Sequence, residues 1–297
     1  MKIPNIQTYS DGRMPVKELY NSFLKLENRG WTLDKVGMSK GIWNNKEVSL
    51  PIIGLRTPQK GKAIYILSGV HGEEPAGPNA LAQSIDLIAK LGEKTPIVLL
   101  PLCNPMGYLR NWRYLNMSKW IKGIEGSSVG DSEHYLIDIN GLKKSRLEKP
   151  SSIEAKALTD YLLKSFKKYQ PLMSVDLHED DLIPEGYIYS QGKMSYDDLV
   201  AKKAVQILIK NGVSLKTDGL TRFDEKILNG VVGAEKDGSI DEFISSEEII
   251  KNGKIVKKNY AKTSLVIETP AKAMKLDDRI KAQKAIISNL ENFVKMM

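Results

Sequence analysis

The amino-acid sequence predicts an α/β fold: a single domain with a central mixed, mostly parallel sheet that is covered by helices on both faces. Three observations support this prediction. From Lys62 onward, short apolar runs typical of strands alternate with segments of helical periodicity. The runs "AIYILSGV" and "TSLVIETPA" are almost continuously apolar, as in strands buried on both faces. Finally, 41% hydrophobic and 27% charged residues in a chain of 297 residues are typical of a globular protein with a large core.

The predicted elements divide the chain into two parts. Residues 61–297 are expected to form the main domain, with an inserted subregion at about 213–260. Residues 1–60 are expected to be an N-terminal elaboration packed on that domain. Irregular stretches as long as 104–150 are usually functional or disordered in compact domains. Because this one carries aromatic residues together with Arg110 and Arg113, it is expected to be functional. The elements are predicted helices over 16–30, 75–92, 151–169, 196–212 and 277–297, and predicted strands over 47–57, 63–70, 95–102, 172–180, 186–190 and 263–271.

Charge and composition limit the classes of partner. The chain has 44 basic and 36 acidic residues, a net charge of +8, but the lysines are scattered and form no long basic block. We therefore expect no nucleic-acid partner. The chain has no apolar stretch of membrane-spanning length, and Met1–Lys17 has no signal-peptide core. These features predict a soluble, cytoplasmic protein without a membrane partner, and they leave its oligomeric state open.

The single cysteine, Cys103, excludes an intramolecular disulfide and a cysteine-rich zinc module. It lies in "LLPLCNP", at the end of a predicted strand, and is interpreted as a small core residue rather than a nucleophile.

Three residues have the types and spacing of a catalytic zinc site. The stretch "SGVHGEEPAG" places His71 and Glu74 three residues apart in a turn after a buried strand, and "VDLHED" provides His178 at the end of another strand. A catalytic zinc ion usually has three nitrogen or oxygen ligands and one position for water. Asp176 lies two residues before His178, on the same face of the strand, and is expected to be a polar partner of the site.

The ordered motifs "GVHGEEPAG", "NPMGY", "NWR", "DIN", "DLH" and "VIETP" resemble those of the zinc carboxypeptidase superfamily over about residues 62–271. That superfamily includes metallocarboxypeptidases, murein-peptide amidases and the succinylglutamate desuccinylase and aspartoacylase branch. The resemblance implies a zinc carboxypeptidase-like fold and one Zn²⁺ per chain, with His71, Glu74 and His178 as ligands.

The resemblance also implies roles for three further residues. Glu268 corresponds to the general base and acid, Arg113 to the arginine that polarises the scissile carbonyl, and Asn140 to the asparagine that helps to hold a substrate carboxylate. Glu73 is an alternative ligand to Glu74, but the motif spacing favours Glu74. His134 is interpreted as a loop residue that lines the pocket.

One departure from the motif concerns the substrate. Where the superfamily commonly has Asp-x-Asn-Arg, this chain has "DING", with Gly141 in place of the arginine that binds a terminal carboxylate. A glycine cannot replace a bidentate arginine. Cations elsewhere in the chain are alternative sources of the positive charge that the missing arginine would provide. The tyrosine of the superfamily's mobile loop is either Tyr260 or another residue. The alternative cations are Lys143, Lys144, Arg146 and Arg222.

The sequence supports three functional hypotheses. The first is a zinc-dependent hydrolase that cleaves an amide bond of a small peptide, of the carboxypeptidase or murein-peptide amidase type. The second is an N-acyl-amino-acid deacylase of the desuccinylase or aspartoacylase type. The third, from another class, is a non-catalytic metal-binding homologue.

Overall fold

The computed structural model describes residues 9–297, and all of its helices and strands lie in that range. The strands are β1 (Thr32–Trp43), β2 (Lys46–Arg56), β3 (Gly61–Ser68), β4 (Ile97–Leu100), β5 (Tyr169–Asp180), β6 (Tyr187–Ser190), β7 (Asp218–Leu220), β8 (Lys226–Leu228), β9 (Val231–Val232), β10 (Glu248–Lys251), β11 (Lys254–Lys257) and β12 (Thr263–Pro270). The helices are α1 (Val16–Leu24), α2 (Ala76–Gln83), α3 (Ile85–Gly92), α4 (Pro105–Arg110), α5 (Ile153–Ser165), α6 (Leu199–Lys210), α7 (Ile240–Ser245), α8 (Leu276–Ser288) and α9 (Leu290–Lys295).

Ten strands form one mixed sheet in the order β1-β2-β4-β3-β5-β12-β6-β9-β8-β7, and β10 pairs with β11 in a separate hairpin. The predicted α/β class and mixed sheet are confirmed. The predicted predominance of parallel pairing is wrong, because within the ten-stranded sheet of the described residues five neighbouring pairs are antiparallel and four are parallel. The parallel pairs are β4-β3, β3-β5, β5-β12 and β6-β9. Helices lie in the connections between β3, β4 and β5, whereas the consecutive strands β1-β2, β7-β8 and β8-β9 form antiparallel hairpins.

The central strands are buried on both faces, as their continuous apolar sequences predict. In β3, Ile64 and Ile66 belong to one apolar cluster, and Tyr65 and Leu67 belong to another. Because successive side chains of a strand point to opposite faces, the two clusters are the cores on the two sides of the sheet. The first contains residues of α1, α2, α6 and α8, and the second contains residues of α5 and α7, so helices cover both faces.

Several elements differ from their predictions. The predicted helix over 75–92 is divided into α2 and α3 at Ser84, whose φ of −107° and ψ of 13° are not helical. The predicted helix over 277–297 is likewise divided into α8 and α9 at Asn289. The long stretch 104–150 begins with the short helix α4 and is otherwise irregular. Its helical start follows from Asn104, whose side chain caps the helix by accepting from Gly107 N at 2.9 Å.

The regions outside the alternating segment extend the same sheet. In the N-terminal part, β1 and β2 form a hairpin whose second strand pairs with β4. Within 213–260, β7, β8 and β9 form the other edge of the sheet, followed by α7 and the hairpin β10-β11. The predicted domain boundaries stay predictions.

The prediction for Met1–Lys17 falls partly on residues 1–8, which lie outside the described residues. Within residues 9–297, none of the helices has both the length and the apolar character required to cross a membrane.

Candidate metal centre

The turn Gly69–Pro75, which we call the metal loop, connects the buried strand β3 to helix α2. Gly69 has a φ of +63°, a left-handed conformation that favours glycine. A Cβ atom at this position would also lie 3.0 Å from side-chain atoms of Leu102 and Pro78. The sharp turn places His71 and Glu74 beyond the carboxyl end of β3, at the edge of the sheet where β5 and β12 also end.

Two imidazole nitrogens and a carboxylate converge at this edge. His71 Nδ1 lies 2.8 Å from Glu74 Oε1, and His178 Nδ1 lies 2.9 Å from Glu74 Oε2. The two Nδ1 atoms are 3.1 Å apart. One ligand atom from each of the three residues therefore lies within 4.8 Å of the others, a group that could hold a metal ion.

The chemistry of these donors fits a divalent cation. His178 Nε2 lies 3.1 Å from Asp176 Oδ2, an ion-pair distance, and Nδ1 faces the other two residues. Glu74 Oε2 also accepts from the backbone N–H of Glu179 at 3.2 Å, which fixes its orientation. Two histidines and one glutamate are a common ligand set for a catalytic zinc ion.

The pKa values of the three residues are shifted in different directions by burial and by the charges around them. Burial, assisted by the charge of Arg113, lowers the pKa of His71 to about 3, so this imidazole is neutral and able to bind metal. Burial acts against charge on His178 as well, but Asp176 and Glu74 raise its pKa well above the usual value. Burial disfavours the Glu74 carboxylate, but the two histidines hold the pKa of Glu74 well below its usual range. A cation that binds here replaces the second proton of His178.

Glu268 lies beside this centre because of strand register. β12 pairs in parallel with β5, and Glu268 stands directly opposite His178. Its Oε2 atom is buried and has no hydrogen-bond partner within the part of the chain that the structure describes. Burial raises the pKa of Glu268 to about 8. A carboxyl group with an unused oxygen and a raised pKa, held on a buried strand, is suited to proton transfer.

Arg113 reaches the centre from the irregular stretch after α4. Its Nη1 atom lies 3.0 Å from Glu74 Oε1 and 3.3 Å from Glu73 Oε1. Glu74 therefore contacts both histidines and the guanidinium, whereas the contact of Glu73 is with the guanidinium. Burial and the neighbouring Glu74 raise the pKa of Glu73 to about 7. The positive charge of Arg113 is thus fixed at the edge of the candidate metal site.

The structure does not bring Asn140 to the candidate ligands. Asn140 is exposed and its backbone N–H donates to Asp138 Oδ1 at 2.9 Å. No hydrogen bond among residues 9–297 connects its side chain to His71, Glu74 or His178. The substrate role of Asn140 stays a prediction. Gly141 has a φ of +76°, so the turn itself favours glycine at the position where the superfamily commonly has arginine.

The four alternative cations differ in how strongly they are neutralised. Arg146 donates to both carboxylate oxygens of Glu242, with Nη1 at 2.7 Å from Oε2. Lys144 Nζ lies 4.0 Å from Asp138, and Lys143 is exposed. Arg222 lies 3.8 Å from Asp181 Oδ1, and its Nε atom is buried without a hydrogen-bond partner among the described residues. Of the four, Arg222 is the one with a buried donor that has no hydrogen-bond partner in the described part of the chain.

Replacement of Arg146 by leucine is expected to lower the free energy of unfolding by about 3 kcal/mol, because it leaves a nearly buried Glu242 carboxylate without its partner. Urea unfolding monitored by circular dichroism measures this change. The control is Arg29→Leu, which removes the exposed pair between Arg29 and Asp86 and is expected to cost less than about 1 kcal/mol. Equal losses of unfolding free energy in the two variants would contradict a structural role for the ion pair between Arg146 and Glu242.

One buried acid near the site was missed at the level of sequence. Asp241, in the first turn of α7, forms a second group of possible ligand atoms with Asp176 and His178, again within 4.8 Å. The sequence signal that was available is "SIDE", in which Ser239 caps the helix by accepting from Glu242 N at 3.1 Å. That signal predicts the helix start but not that Asp241 approaches β5.

Three other sequence-predicted residues lie outside this arrangement. His134 packs against Tyr135, with ring centroids 4.7 Å apart and the rings tilted by 42°, and burial lowers the pKa of His134. Cys103 is fully buried, and burial raises the pKa of its thiol well above the usual value. Tyr260 is partly buried and has no assigned role.

Solved structures with the same fold include proposed metallopeptidases and a carboxypeptidase A. A proposed metallopeptidase from Shewanella amazonensis SB2B matches with a TM-score of 0.70 and 20% identity, over 95% of this chain and 92% of that chain. A second, from Shewanella denitrificans OS217, has a TM-score of 0.65 and 19% identity, over 98% of each chain. Carboxypeptidase A from Helicoverpa armigera has a TM-score of 0.56 and 14% identity, over 94% of this chain and 70% of that one.

These matches define the class of fold. The chain has the fold of the metallo-carboxypeptidases, as the resemblance in its motifs implies. At identities of 20% and below, the matches establish the fold and not the activity.

Sequence comparisons alone give less information. No protein-family model matches the chain. Thermosome subunits from Pyrococcus horikoshii and Pyrococcus abyssi are 28% identical over 174 residues, an alignment that covers 56% of this chain. The alignment spans only 30% of each thermosome subunit. The structural matches cover nearly the whole chain and are therefore the stronger guide to its class.

Proposed function

We propose that the protein is a zinc-dependent hydrolase that cleaves an amide bond of a small peptide, of the carboxypeptidase or murein-peptide amidase type. The observation that carries the proposal is the convergence of His71, Glu74 and His178 at one end of the sheet, with Glu268 in register beside His178. The fold of the metallo-carboxypeptidases supports it.

The residues divide the chemistry between them. His71, Glu74 and His178 would hold the zinc ion, which supplies an activated water molecule and polarises the substrate carbonyl. Glu268 takes a proton from the attacking water and delivers it to the leaving amine nitrogen, a role worth about 10² to 10⁴ in rate. Arg113 donates to the carbonyl oxygen as negative charge develops on it. Asp176 holds the His178 ring in the orientation that directs Nδ1 toward the centre.

The proposed role of Arg113 is compatible with its contacts. Its Nη1 atom contacts Glu73 and Glu74, and the guanidinium has further N–H donors in the same plane. The two carboxylates fix the plane, so the remaining donors are held in position before substrate binds. Preorganised donors of this kind need no rearrangement when the oxyanion forms.

The first test of the proposal is metal content. We expect about one zinc ion per wild-type chain by elemental mass spectrometry after dialysis, and loss of that ion in His71→Ala and His178→Ala. His134→Ala is a matched control, since His134 is the third histidine of the chain and is not among the residues whose possible ligand atoms converge. Wild-type protein that holds no metal after reconstitution, or equal loss in the His134 variant, would overturn the proposal.

A second candidate function has support from Gly141. The turn at Gly141 lacks the arginine that binds a terminal carboxylate in the superfamily. A peptidase that recognises a peptide C-terminus would therefore need another cation, for which we propose Arg222. An N-acyl-amino-acid deacylase of the desuccinylase or aspartoacylase type is the alternative that differs in which side of the amide is recognised. Parallel assays of short peptides, murein peptides and N-acyl amino acids separate the two. Turnover of acyl-amino acids alone selects the deacylase.

A further inference from the structure

A buried arginine near the N-terminus lies at the junction of the two segments that carry the candidate site. Residues 9–15, which we call the N-terminal strap, precede α1 and contain Arg13, which is only 3% exposed. An arginine is rarely buried to this extent unless its donors are paired. Its contacts therefore indicate what the strap holds.

The contacts of Arg13 join three parts of the chain. Within the strap, its Nε atom donates to Asp11 Oδ2 at 2.7 Å. Its Nη1 atom donates to the carbonyl oxygens of Gly72 at 2.9 Å and Tyr108 at 3.3 Å, and its Nη2 atom donates to Asn111 Oδ1 at 2.5 Å. The guanidinium carbon also lies 5.0 Å from the centre of the Tyr108 ring.

The acceptors of Arg13 are adjacent to site residues along the chain. Gly72 is the residue between His71 and Glu73 in the metal loop, so its carbonyl belongs to the backbone that carries both His71 and Glu74. Asn111 ends α4 with a φ of +54° and precedes Arg113 by two residues. Arg13 therefore connects the backbone of the metal loop to the backbone that leads into Arg113.

The two segments touch at their backbones. A Cβ atom at Gly72 would lie 1.9 Å from the carbonyl carbon of Gly107 and 2.3 Å from the amide nitrogen of Tyr108. Peptide groups at such short range cannot move past each other, and Arg13 bonds to a carbonyl on each side of this contact. The guanidinium thus fixes the relative position of the two segments.

A second set of buried hydrogen bonds anchors the strap itself. Met14 donates its N–H to Asn79 Oδ1 at 2.8 Å, and its carbonyl accepts from the Tyr108 hydroxyl at 2.8 Å. Asn79 Nδ2 donates in turn to the same Tyr108 oxygen at 2.8 Å. Because the strap is bound to both α2 and α4, the Arg13 guanidinium is held in place from both sides.

We propose that Arg13 is a positioning residue that holds the metal loop against the segment that carries Arg113. The inference rests on the proposed metal site for its consequence, but the positioning itself concerns only this chain's own backbone. Within residues 9–297, the hydrogen bonds of Arg13 reach neither the side chains of the candidate ligands nor Arg113, and Arg13 acts through Gly72, Tyr108 and Asn111. When this clamp is lost, the metal loop and the Arg113 segment move independently and the site opens more often.

Arg13→Lys is the test because a lysine keeps the positive charge but cannot reproduce the hydrogen bonds of the planar guanidinium. The control is Arg56→Lys, which removes a comparable fork onto Asp34 on the β1-β2 hairpin. In hydrogen–deuterium exchange of the metal-free proteins, we expect faster exchange over residues 69–75 and 107–113 in Arg13→Lys, and wild-type exchange there in Arg56→Lys. In the zinc-loaded proteins, we expect release of zinc to a chelator to be about tenfold faster in Arg13→Lys only, a change of about 1.4 kcal/mol.

A second variant keeps the proposal testable if Arg13→Lys does not fold. Asn111→Gly removes one acceptor of Arg13 while permitting the left-handed backbone at that position. Wild-type exchange over both segments in the two variants would overturn the positioning role. A wild-type protein that binds no zinc would instead contradict the proposed function, and the exchange experiment would still decide the role of Arg13.

Discussion

Replacement of Glu268 by glutamine is expected to lower kcat/KM by about 10³-fold while the zinc content stays at that of the wild type. Glutamine has nearly the same shape as glutamate but cannot accept the proton of the attacking water at neutral pH. Glu268 is not among the three residues whose ligand atoms converge, so the change leaves the ligand set intact. Steady-state kinetics and elemental analysis on the same preparation measure both quantities.

Glu73→Gln is the comparison for this prediction, because Glu73 is another acid at the site with a raised pKa. Glu73 contacts Arg113, and its loss is expected to reduce kcat/KM by less than about tenfold. A larger loss from Glu73→Gln than from Glu268→Gln would assign the base to Glu73. Loss of zinc in Glu268→Gln would show that Glu268 supports the metal rather than transferring protons.

Replacement of Gly72 by alanine is expected to destabilise the folded protein by about 3 kcal/mol or more and to abolish tight zinc binding. The added Cβ atom would overlap backbone atoms of Gly107 and Tyr108, which cannot rotate away as a side chain can. Either the metal loop or α4 must shift, and His71 and Glu74 shift with the loop. Thermal unfolding and zinc titration measure the two effects.

A matched glycine provides the control. At Gly41, on β1, an added Cβ atom would lie 2.9 Å from Met106 Cε, the flexible end of a side chain. Gly41→Ala is therefore expected to change stability by less than about 1 kcal/mol and to leave zinc binding unchanged. Similar destabilisation in both variants would mean that the close backbone contact at Gly72 has no special importance.

The sequence predicted the central part of the fold because that information is local. The central strands are short apolar runs: β3, β4, β5 and β12. The polar residues of the site follow β3 or lie at the ends of β5 and β12. The edge of the sheet was harder to predict, since β1, "TLDKVGMSKGIW", has neither an apolar run nor clear alternation. Its twelve residues are held by pairing with β2, and such pairing is not visible in the composition of one segment.

The parts of the site that were not predicted depend on distant contacts. Asp241 approaches Asp176 only because α7 packs on β5 and β12. Arg13 meets Gly72 across 59 residues and Asn111 across 98 residues. Neither residue has a neighbour in sequence that signals a metal or a catalytic group. Their proximity to the site is a property of the tertiary structure alone.

The position of β12 has a consequence for how the protein is made. β12 lies between β5 and β6, in the middle of the sheet, although the ribosome synthesises it after every other strand. Until Pro270 has left the ribosome, the inner edges of β5 and β6 lack their partner, and unpaired strand edges favour aggregation. The nascent chain already carries His71, Glu74 and His178 at that stage, whereas Glu268 is delivered with the strand that completes the sheet. Synthesis therefore joins completion of the fold and arrival of the proposed base in a single late event.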